Sequence, residues 1–328
     1  MLIYVYYILF INSLNINAED FNINTNILND NINSNKTPKI IFNHSSLQQN
    51  NQEWLKIESK LKGILIHHNF SHWSNKTNKN GKEIFTKINR KLKLRVIEFK
   101  SYDSTSLTLF IIQPSEINHP KLLVLNPLNE KGFTDFLATM QLAFMDYLNK
   151  YDLPKKNIKS FDQNQRMFSS FNWAMAYLIP TGLKVRKKSI EFKTKNIDAI
   201  LEPKMIHDKL RVGDIRRGIQ TLRNEGGYGK VSLWLQAESS MAKAALYASI
   251  FEPKITRLDL YDLKDTKSSD NYFNKIESLL SIPSALAIAI KNTQIIIYQE
   301  SDKKWEYPNF IADKLGWQNR VKIRPITE

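Results

Sequence analysis

The sequence contains no cysteine among its 328 residues. A disulfide framework, a thiolate nucleophile and a cysteine-ligated zinc site are therefore excluded. Histidine is scarce, with 6 residues, and none of the histidine spacings matches the helical H-E-x-x-H metal pattern. Collagen-like and heptad repeats are also missing, which excludes a fibrous protein. We predict neither a metal ion nor another cofactor.

Acidic residues are too few to balance the basic ones. There are 47 Lys and Arg against 32 Asp and Glu, a formal net charge of +15. The basic residues are scattered and mixed with acids, which indicates a generally solvated surface rather than specific nucleic-acid binding; weak binding of an anionic polymer or membrane is the alternative. Hydrophobic residues make up 42% of the chain and aromatics 11%, enough for a folded core.

The apolar run Met1–Ile11 carries no charge and is shorter than the ~20 residues that span a bilayer. Ala18 stands before two acids, so residues 1–18 resemble a secretory signal peptide, although the positive amino-terminal region is lacking. We expect export to the periplasm or beyond the cell and no transmembrane segment. The alternative is an uncleaved apolar end or a misassigned start. Residues 19–53 are rich in Asn and predict a flexible linker.

The remaining chain divides into a helical lead-in, residues 54–91, and one larger domain, residues 92–328. Leu94–Lys100 and Leu107–Gln113 alternate apolar and polar residues, which predicts an antiparallel hairpin. The second half alternates strand and helix, and such alternation forces parallel pairing. We therefore predict an α/β fold with a mostly parallel sheet, helices on both faces and an antiparallel amino-terminal hairpin.

The sequence also predicts individual helices and strands near the carboxyl ends of the parallel strands, where ligands bind in such sheets. A helix is expected over Asp135–Leu148, with Asp135 capping its free amides. Val231–Leu235 and Ile255–Tyr261 are expected strands, and Ser240–Phe251 is an Ala-rich helix between them. Pro308 is expected to open a helix over Asn309–Leu315.

The order of these elements resembles that of an α/β-hydrolase, and the segment VSLWLQAESSMAKAALYASI, Val231–Ile250, carries the resemblance. A strand enters a turn with a central serine and leaves as an Ala-rich helix, as in the nucleophile elbow G-x-S-x-G of acetyl xylan esterase and dienelactone hydrolase relatives. The corresponding residues are Ala237-Glu238-Ser239-Ser240-Met241. Met241 departs from the motif, because a long side chain stands where glycine is usual.

The resemblance implies that Ser239 is the nucleophile and that the amide of Ser240 is one oxyanion donor. The second donor is expected near Pro127 and Leu128, after the third strand of the family's pattern. From the residues alone, Ser239 or Ser240 is equally compatible with a helix N-cap, in which the hydroxyl accepts from free amides.

The same resemblance places a catalytic acid after the seventh strand, where Asp302 stands, with Asp262 as a substitute position. Either aspartate can also be a solvated loop residue. The expected base, a histidine after the last strand, has no counterpart, because no histidine follows His207. His207 is expected in the loop after the fourth strand, either as a replacement base or as a surface residue.

The sequence therefore predicts a protein of the acetyl-xylan-esterase type with degenerate catalysis, because a serine without a base remains a weak nucleophile. If active, it would be a serine-type carboxylic-ester hydrolase. The alternative is a non-catalytic binding or accessory module that keeps the hydrolase pocket for an ester or carbohydrate-derived ligand. The oligomeric state is not predicted.

Overall fold

The computed structural model describes residues 51–71, 73, 81–102, 104–183, 203–252, 254–263, 272–299 and 305–326. In this part, the strands are β1 (Lys82–Asn89), β2 (Leu92–Lys100), β3 (Ser106–Pro114), β4 (Leu122–Pro127), β5 (Trp173–Ile179), β6 (Ser232–Glu238), β7 (Ile255–Tyr261), β8 (Gln294–Tyr298) and β9 (Val321–Arg324). The helices are α1 (Asn51–Asn69), α2 (Glu130–Leu148), α3 (Ile158–Ser170), α4 (Pro203–Asn224), α5 (Ser240–Phe251), α6 (Tyr272–Leu279), α7 (Ile282–Ala289) and α8 (Glu306–Lys314).

All nine strands described form one sheet in the order β1-β2-β3-β5-β4-β6-β7-β8-β9. The pairs β1–β2, β2–β3 and β3–β5 are antiparallel, and the pairs from β5–β4 to β8–β9 are parallel. The predicted hairpin, β2 and β3, thus precedes a parallel sheet, and the predicted fold class is confirmed. The carboxyl ends of β4 to β9 share one edge, because parallel strands point the same way.

Two hydrophobic cores lie on opposite faces of this sheet. The larger core buries Leu235 of β6, Leu258 of β7 and the Ala-rich α5, in which all residues from Met241 to Ile250 are buried. The smaller core packs α2 and α3 against β2 and β3. Small alanine side chains let α5 approach the sheet closely, which fixes the start of α5 at the end of β6.

Two predicted helix starts are wrong. Helix α2 begins at Glu130, and its cap is Asn129, whose side chain accepts a hydrogen bond from the Gly132 amide at 2.7 Å. Asp135 therefore lies inside the helix. Helix α8 begins at Glu306, so Pro308 lies in its first turn rather than before it. Proline is tolerated there because first-turn amides have no helical acceptor.

The predicted signal peptide, residues 1–18, and most of the predicted linker lie outside the described residues. Residues 54–91 contain most of α1 and also the strand β1. Among the helices of the described segments, none combines the length and the apolar character needed to cross a membrane.

Candidate active site

The turn between β6 and α5 consists of one residue, Ser239, with φ 55° and ψ −118°. A positive φ is strained for a residue with a side chain, at a cost of about 1–3 kcal/mol. The strand nevertheless bends directly into the helix here. Met241, the departure from the elbow motif, is accommodated with 1% exposure in the larger core. The predicted sharp bend at Ser239 is therefore present despite the missing glycines.

The Ser239 hydroxyl makes no capping hydrogen bond to α5. It donates instead to Oδ2 of Asp262 at 3.0 Å. The Ser239 amide donates to the Tyr261 carbonyl at 2.9 Å, which extends the β6–β7 pairing by one residue. The Ser239 side chain therefore does not act as an N-cap of α5. Its hydroxyl is directed towards the end of β7 instead.

Asp262 follows β7 directly and also has a positive φ, 52°. Its amide donates to the Tyr298 carbonyl, at the end of β8, at 3.3 Å. The carboxyl ends of β6, β7 and β8 are therefore joined by backbone bonds through Ser239 and Asp262. Two strained residues in contact at one sheet edge indicate a functional position, because strain of this kind concentrates at functional sites.

The other residues predicted for a catalytic triad, Asp302 and His207, are not found beside Ser239 in the described part of the structure. Asp302 lies outside that part. His207 lies in α4 rather than in a loop, and its side chain is also outside the described part. His119, which was not predicted as a triad member, precedes β4 and thus lies at the opposite edge of the sheet. No described histidine side chain hydrogen-bonds the Ser239 hydroxyl, whose partner is Asp262.

The three predicted oxyanion donors differ. As the first residue of α5, Ser240 has an amide without a helical acceptor, and none of the described groups accepts from it. Pro127 has no amide hydrogen. The Leu128 amide donates to the Leu178 carbonyl of β5 at 2.9 Å. In this conformation the Ser240 amide is therefore the one of the three that is available to a negative oxygen.

A cavity of about 380 Å³ lies beside the elbow, at the carboxyl ends of β4 to β7 and the start of α2. Of its fifteen lining residues, seven are polar and uncharged, six are apolar or glycine, and two are acidic. The lining residues are Asn126, Pro127, Leu128, Asn129, Gly132, Asp135, Phe136, Thr139, Met140, Asn164, Tyr177, Gln236, Ala237, Glu238 and Tyr261. Ser239 and Asp262 are not among them, so the cavity adjoins the elbow without including the hydroxyl.

Two tyrosines of the cavity are perturbed. Burial raises the pKa of the Tyr177 hydroxyl. Burial and a hydrogen bond with Tyr298 raise the pKa of Tyr261, which stacks on Tyr298 with ring centroids 4.1 Å apart. Sequence reasoning missed both residues, and the available signal was the alternation along β5 and β7, which places Tyr177 and Tyr261 on the sheet face opposite the larger core.

Within the described ranges, no group of three or more histidine or acidic side chains is placed to hold a metal ion. The arrangement at the edge is instead a hydroxyl, a carboxylate and a helix amino terminus. These groups suit acyl transfer, in which a hydroxyl attacks a carbonyl and an amide stabilises the oxyanion.

No protein-family model and no curated protein matches the chain. Solved structures do match. A predicted acetyl xylan esterase from Bacteroides fragilis has a TM-score of 0.58 and 11% identity, covering 87% of this chain and 78% of its own. An acetyl xylan esterase from Paenibacillus sp. R4 has a TM-score of 0.43 and 9% identity, covering 85% of this chain and 89% of its own. That second similarity is too low to argue from.

The similarity to the Bacteroides structure extends over most of both chains, and at 11% identity it concerns the fold alone. The strand order, the bend at Ser239 and this similarity agree. The chain has an α/β-hydrolase-type fold.

Proposed function

We propose that this chain is an α/β-hydrolase of the acetyl-xylan-esterase type with weak or absent carboxylic-ester hydrolysis. The observation that carries the proposal is the contact at the elbow. Ser239 occupies the strained bend of a nucleophile, and its hydroxyl donates to the carboxylate of Asp262 rather than to an imidazole. These contacts support a hydrolase in which Ser239 is the attacking group and its proton has a poor acceptor among the described residues.

The chemistry follows from these groups. Attack of the Ser239 oxygen on an ester carbonyl forms a tetrahedral oxyanion, which the Ser240 amide at the start of α5 stabilises. The serine proton passes to the carboxylate of Asp262, and carboxylates are in general weaker bases than imidazoles. General-base assistance is worth about 10²–10⁴-fold, and one oxyanion donor about 10²–10³-fold. Collapse of the intermediate breaks the ester C–O bond, and the departing alcohol takes the proton from Asp262. Water, deprotonated in the same way, then hydrolyses the acyl-serine to the carboxylic acid and restores Ser239. With a weak base and one oxyanion donor among the described residues, turnover is slow.

The proposed substrate is an ester, including an ester of a carbohydrate, the class that the name of the Bacteroides protein indicates. Such a substrate is consistent with the export that residues 1–18 predict. Intact-mass measurement of exported protein is expected to show loss of these residues, whereas material that retains Met1 would contradict export with cleavage.

The test is hydrolysis of p-nitrophenyl acetate by the full chain, by Ser239→Ala and by Ser170→Ala, a control at an exposed serine of α3. We expect the unaltered chain and both variants to agree within tenfold. A rate more than tenfold above that of Ser239→Ala, or a burst of product that Ser239→Ala abolishes, would contradict degenerate catalysis.

The second candidate is a binding or accessory module without catalysis. The cavity favours this second function. Its volume of about 380 Å³ is within the usual range of ligand pockets, and Ser239 is not among its lining residues. A panel of esters separates the two functions. Slow hydrolysis that Ser239→Ala removes on any ester supports the enzyme, and equal rates on all of them support the module.

A further inference from the structure

The cavity beside the elbow differs in charge from the rest of the protein. The chain carries a net charge of +15. Its fifteen lining residues nevertheless include two carboxylates, Asp135 and Glu238, and no lysine or arginine. Because like charges repel, a phosphate or carboxylate ligand is disfavoured here, and the local field attracts a cation.

The two carboxylates are only weakly compensated by the protein. Asp135 has no ion-pair partner among the described residues. Glu238 faces Lys131 at 3.6 Å, with the two side chains 50% and 74% exposed. Exposed pairs of this kind contribute little, so Lys131 does not substitute for a bound cation.

Aromatic rings form another part of the wall. Phe136 and Tyr177 pack with centroids 4.9 Å apart, and Tyr261 also lines the cavity. The face of an aromatic ring is electron-rich and attracts a cation. Proteins use aromatic rings of this kind to recognise quaternary ammonium ions. The two carboxylates add an electrostatic attraction for the same charge.

The inner wall supplies oxygen acceptors that the protein leaves available. Among the residues that the structure describes, the Tyr177 hydroxyl has one hydrogen-bond partner, the Met175 sulfur at 3.6 Å. A thioether is a weak acceptor, and this contact leaves both lone pairs of the phenol oxygen unused. The side chains of Gln236 and Asn164 line the same space, and their amide oxygens are further acceptors.

From this geometry we propose that the cavity binds a small organic ammonium ion. The ammonium group lies between Asp135 and the aromatic wall, and a polar remainder of the ligand meets the amides and the Tyr177 hydroxyl. The cavity volume of about 380 Å³ is at the small end of the range of ligand pockets, as expected for a small ligand. The proposal is independent of hydrolysis, because neither Ser239 nor Asp262 lines the cavity.

The test is isothermal titration of the full chain with choline chloride and with 3,3-dimethylbutan-1-ol, a neutral molecule of nearly the same shape. We expect choline to bind at least about tenfold more tightly, because only choline interacts with the carboxylates and ring faces as a cation. Equal affinity for the two compounds, or no saturable binding of choline, would overturn the proposal.

Three variants locate the site. Asp135→Asn is expected to weaken choline binding about three- to fivefold, the upper range for one exposed charge pair. Glu130→Gln removes the same charge from the same helix outside the cavity and is expected to change binding less than twofold. Ser239→Ala is expected to leave it unchanged, which separates this proposal from the esterase. Unaltered affinity in Asp135→Asn, with its circular-dichroism spectrum intact, would overturn the assignment.

An ammonium group occurs both in free molecules and in lipid headgroups, so the final arm uses phosphatidylcholine vesicles. Choline binding without sedimentation on vesicles assigns a free ammonium compound. Sedimentation that Asp135→Asn abolishes assigns the headgroup. Sedimentation that Asp135→Asn leaves intact would show binding outside the cavity and contradict the proposal.

Discussion

The side chains of Ser239 and Asp262 meet at the carboxyl ends of β6 and β7, where the serine Oγ lies 3.0 Å from the aspartate Oδ2. Both residues have a positive φ, and each donates its amide to the end of the neighbouring strand. The hydroxyl is thus oriented by strained backbone on both sides, and its proton faces a carboxylate.

Replacement of the carboxylate by an imidazole is expected to increase activity. Asp262 has φ 52°, and histidine is among the residues that tolerate such a conformation. In Asp262→His, we expect kcat/KM for p-nitrophenyl acetate to rise about 10²-fold, the lower range of general-base assistance. Asp262→Asn, which supplies no base, serves as the control. A rise that persists when Ser239→Ala is added would contradict the role of the serine.

The strain at the elbow predicts a stability difference between two small residues. Ser239 has φ 55°, which glycine adopts without the steric cost that alanine incurs. Both replacements remove the bond to Asp262. We therefore expect Ser239→Gly to have a free energy of unfolding about 1 kcal/mol above that of Ser239→Ala in urea titrations. A glycine variant no more stable than the alanine variant would refute this.

Asp214 of α4 connects the helix to two strands. It is fully buried and accepts hydrogen bonds from the Ser101 hydroxyl, after β2, and from the Thr181 amide, after β5, at 2.7 Å. Asp214→Ala leaves the buried Ser101 hydroxyl and the partly buried Thr181 amide without this acceptor, so we expect a loss of about 3 kcal/mol in the free energy of unfolding. Ser101→Ala removes one bond and is expected to cost about 1 kcal/mol. Equal losses in the two variants would contradict the assignment.

The environment of Glu58 in α1 leads us to expect that the free energy of unfolding depends on pH. Burial acts to raise the pKa of this carboxyl, but hydrogen bonds from Lys291 and Lys62 outweigh it, and the pKa is lowered. The unfolded chain then binds more protons, so the stabilisation is complete above the ordinary glutamate pKa, about 4.3, and is lost as the pH falls through the folded value.

In unfolding measurements from pH 6 to pH 3, we expect the free energy of unfolding of Glu58→Gln to fall less with pH than that of the unaltered chain. Glu116→Gln, a control at an exposed residue with no ion pair among those described, is expected to lose stability as the unaltered chain does. If Glu58→Gln and the unaltered chain lose stability in parallel, the ion pairs of Glu58 do not contribute.

The sequence predicted the central part of the fold because its signals there are local. The bounds of β7 and α5 agree with those predicted, since β7 is rich in β-branched and aromatic residues and α5 is rich in Ala. Helix α3, Ile158–Ser170, was missed because only Phe161 and Phe168 of this helix are buried. Strand β1, Lys82–Asn89, was missed because it has no fully buried residue.

At the site, the sequence predicted Ser239 as the nucleophile and offered Asp262 as a substitute position for the acid. It could not establish their contact, because 23 residues separate them and only the pairing of β6 with β7 brings their ends together. The loss of Leu128 as an oxyanion donor depends on a bond to Leu178 in another strand. Such long-range pairings leave no signal in one sequence, and the cavity residues on α2, α3, β5 and β6 depend on them too.

The most direct measurement of the central claim is the reactivity of Ser239 with a fluorophosphonate, followed by intact mass and mapping of the labelled peptide. A serine that lacks an imidazole is not activated. We expect no labelling at Ser239 in the unaltered chain under conditions that fully label an active serine esterase in the same mixture, and labelling in Asp262→His. Rapid, stoichiometric labelling of Ser239 in the unaltered chain would contradict the account.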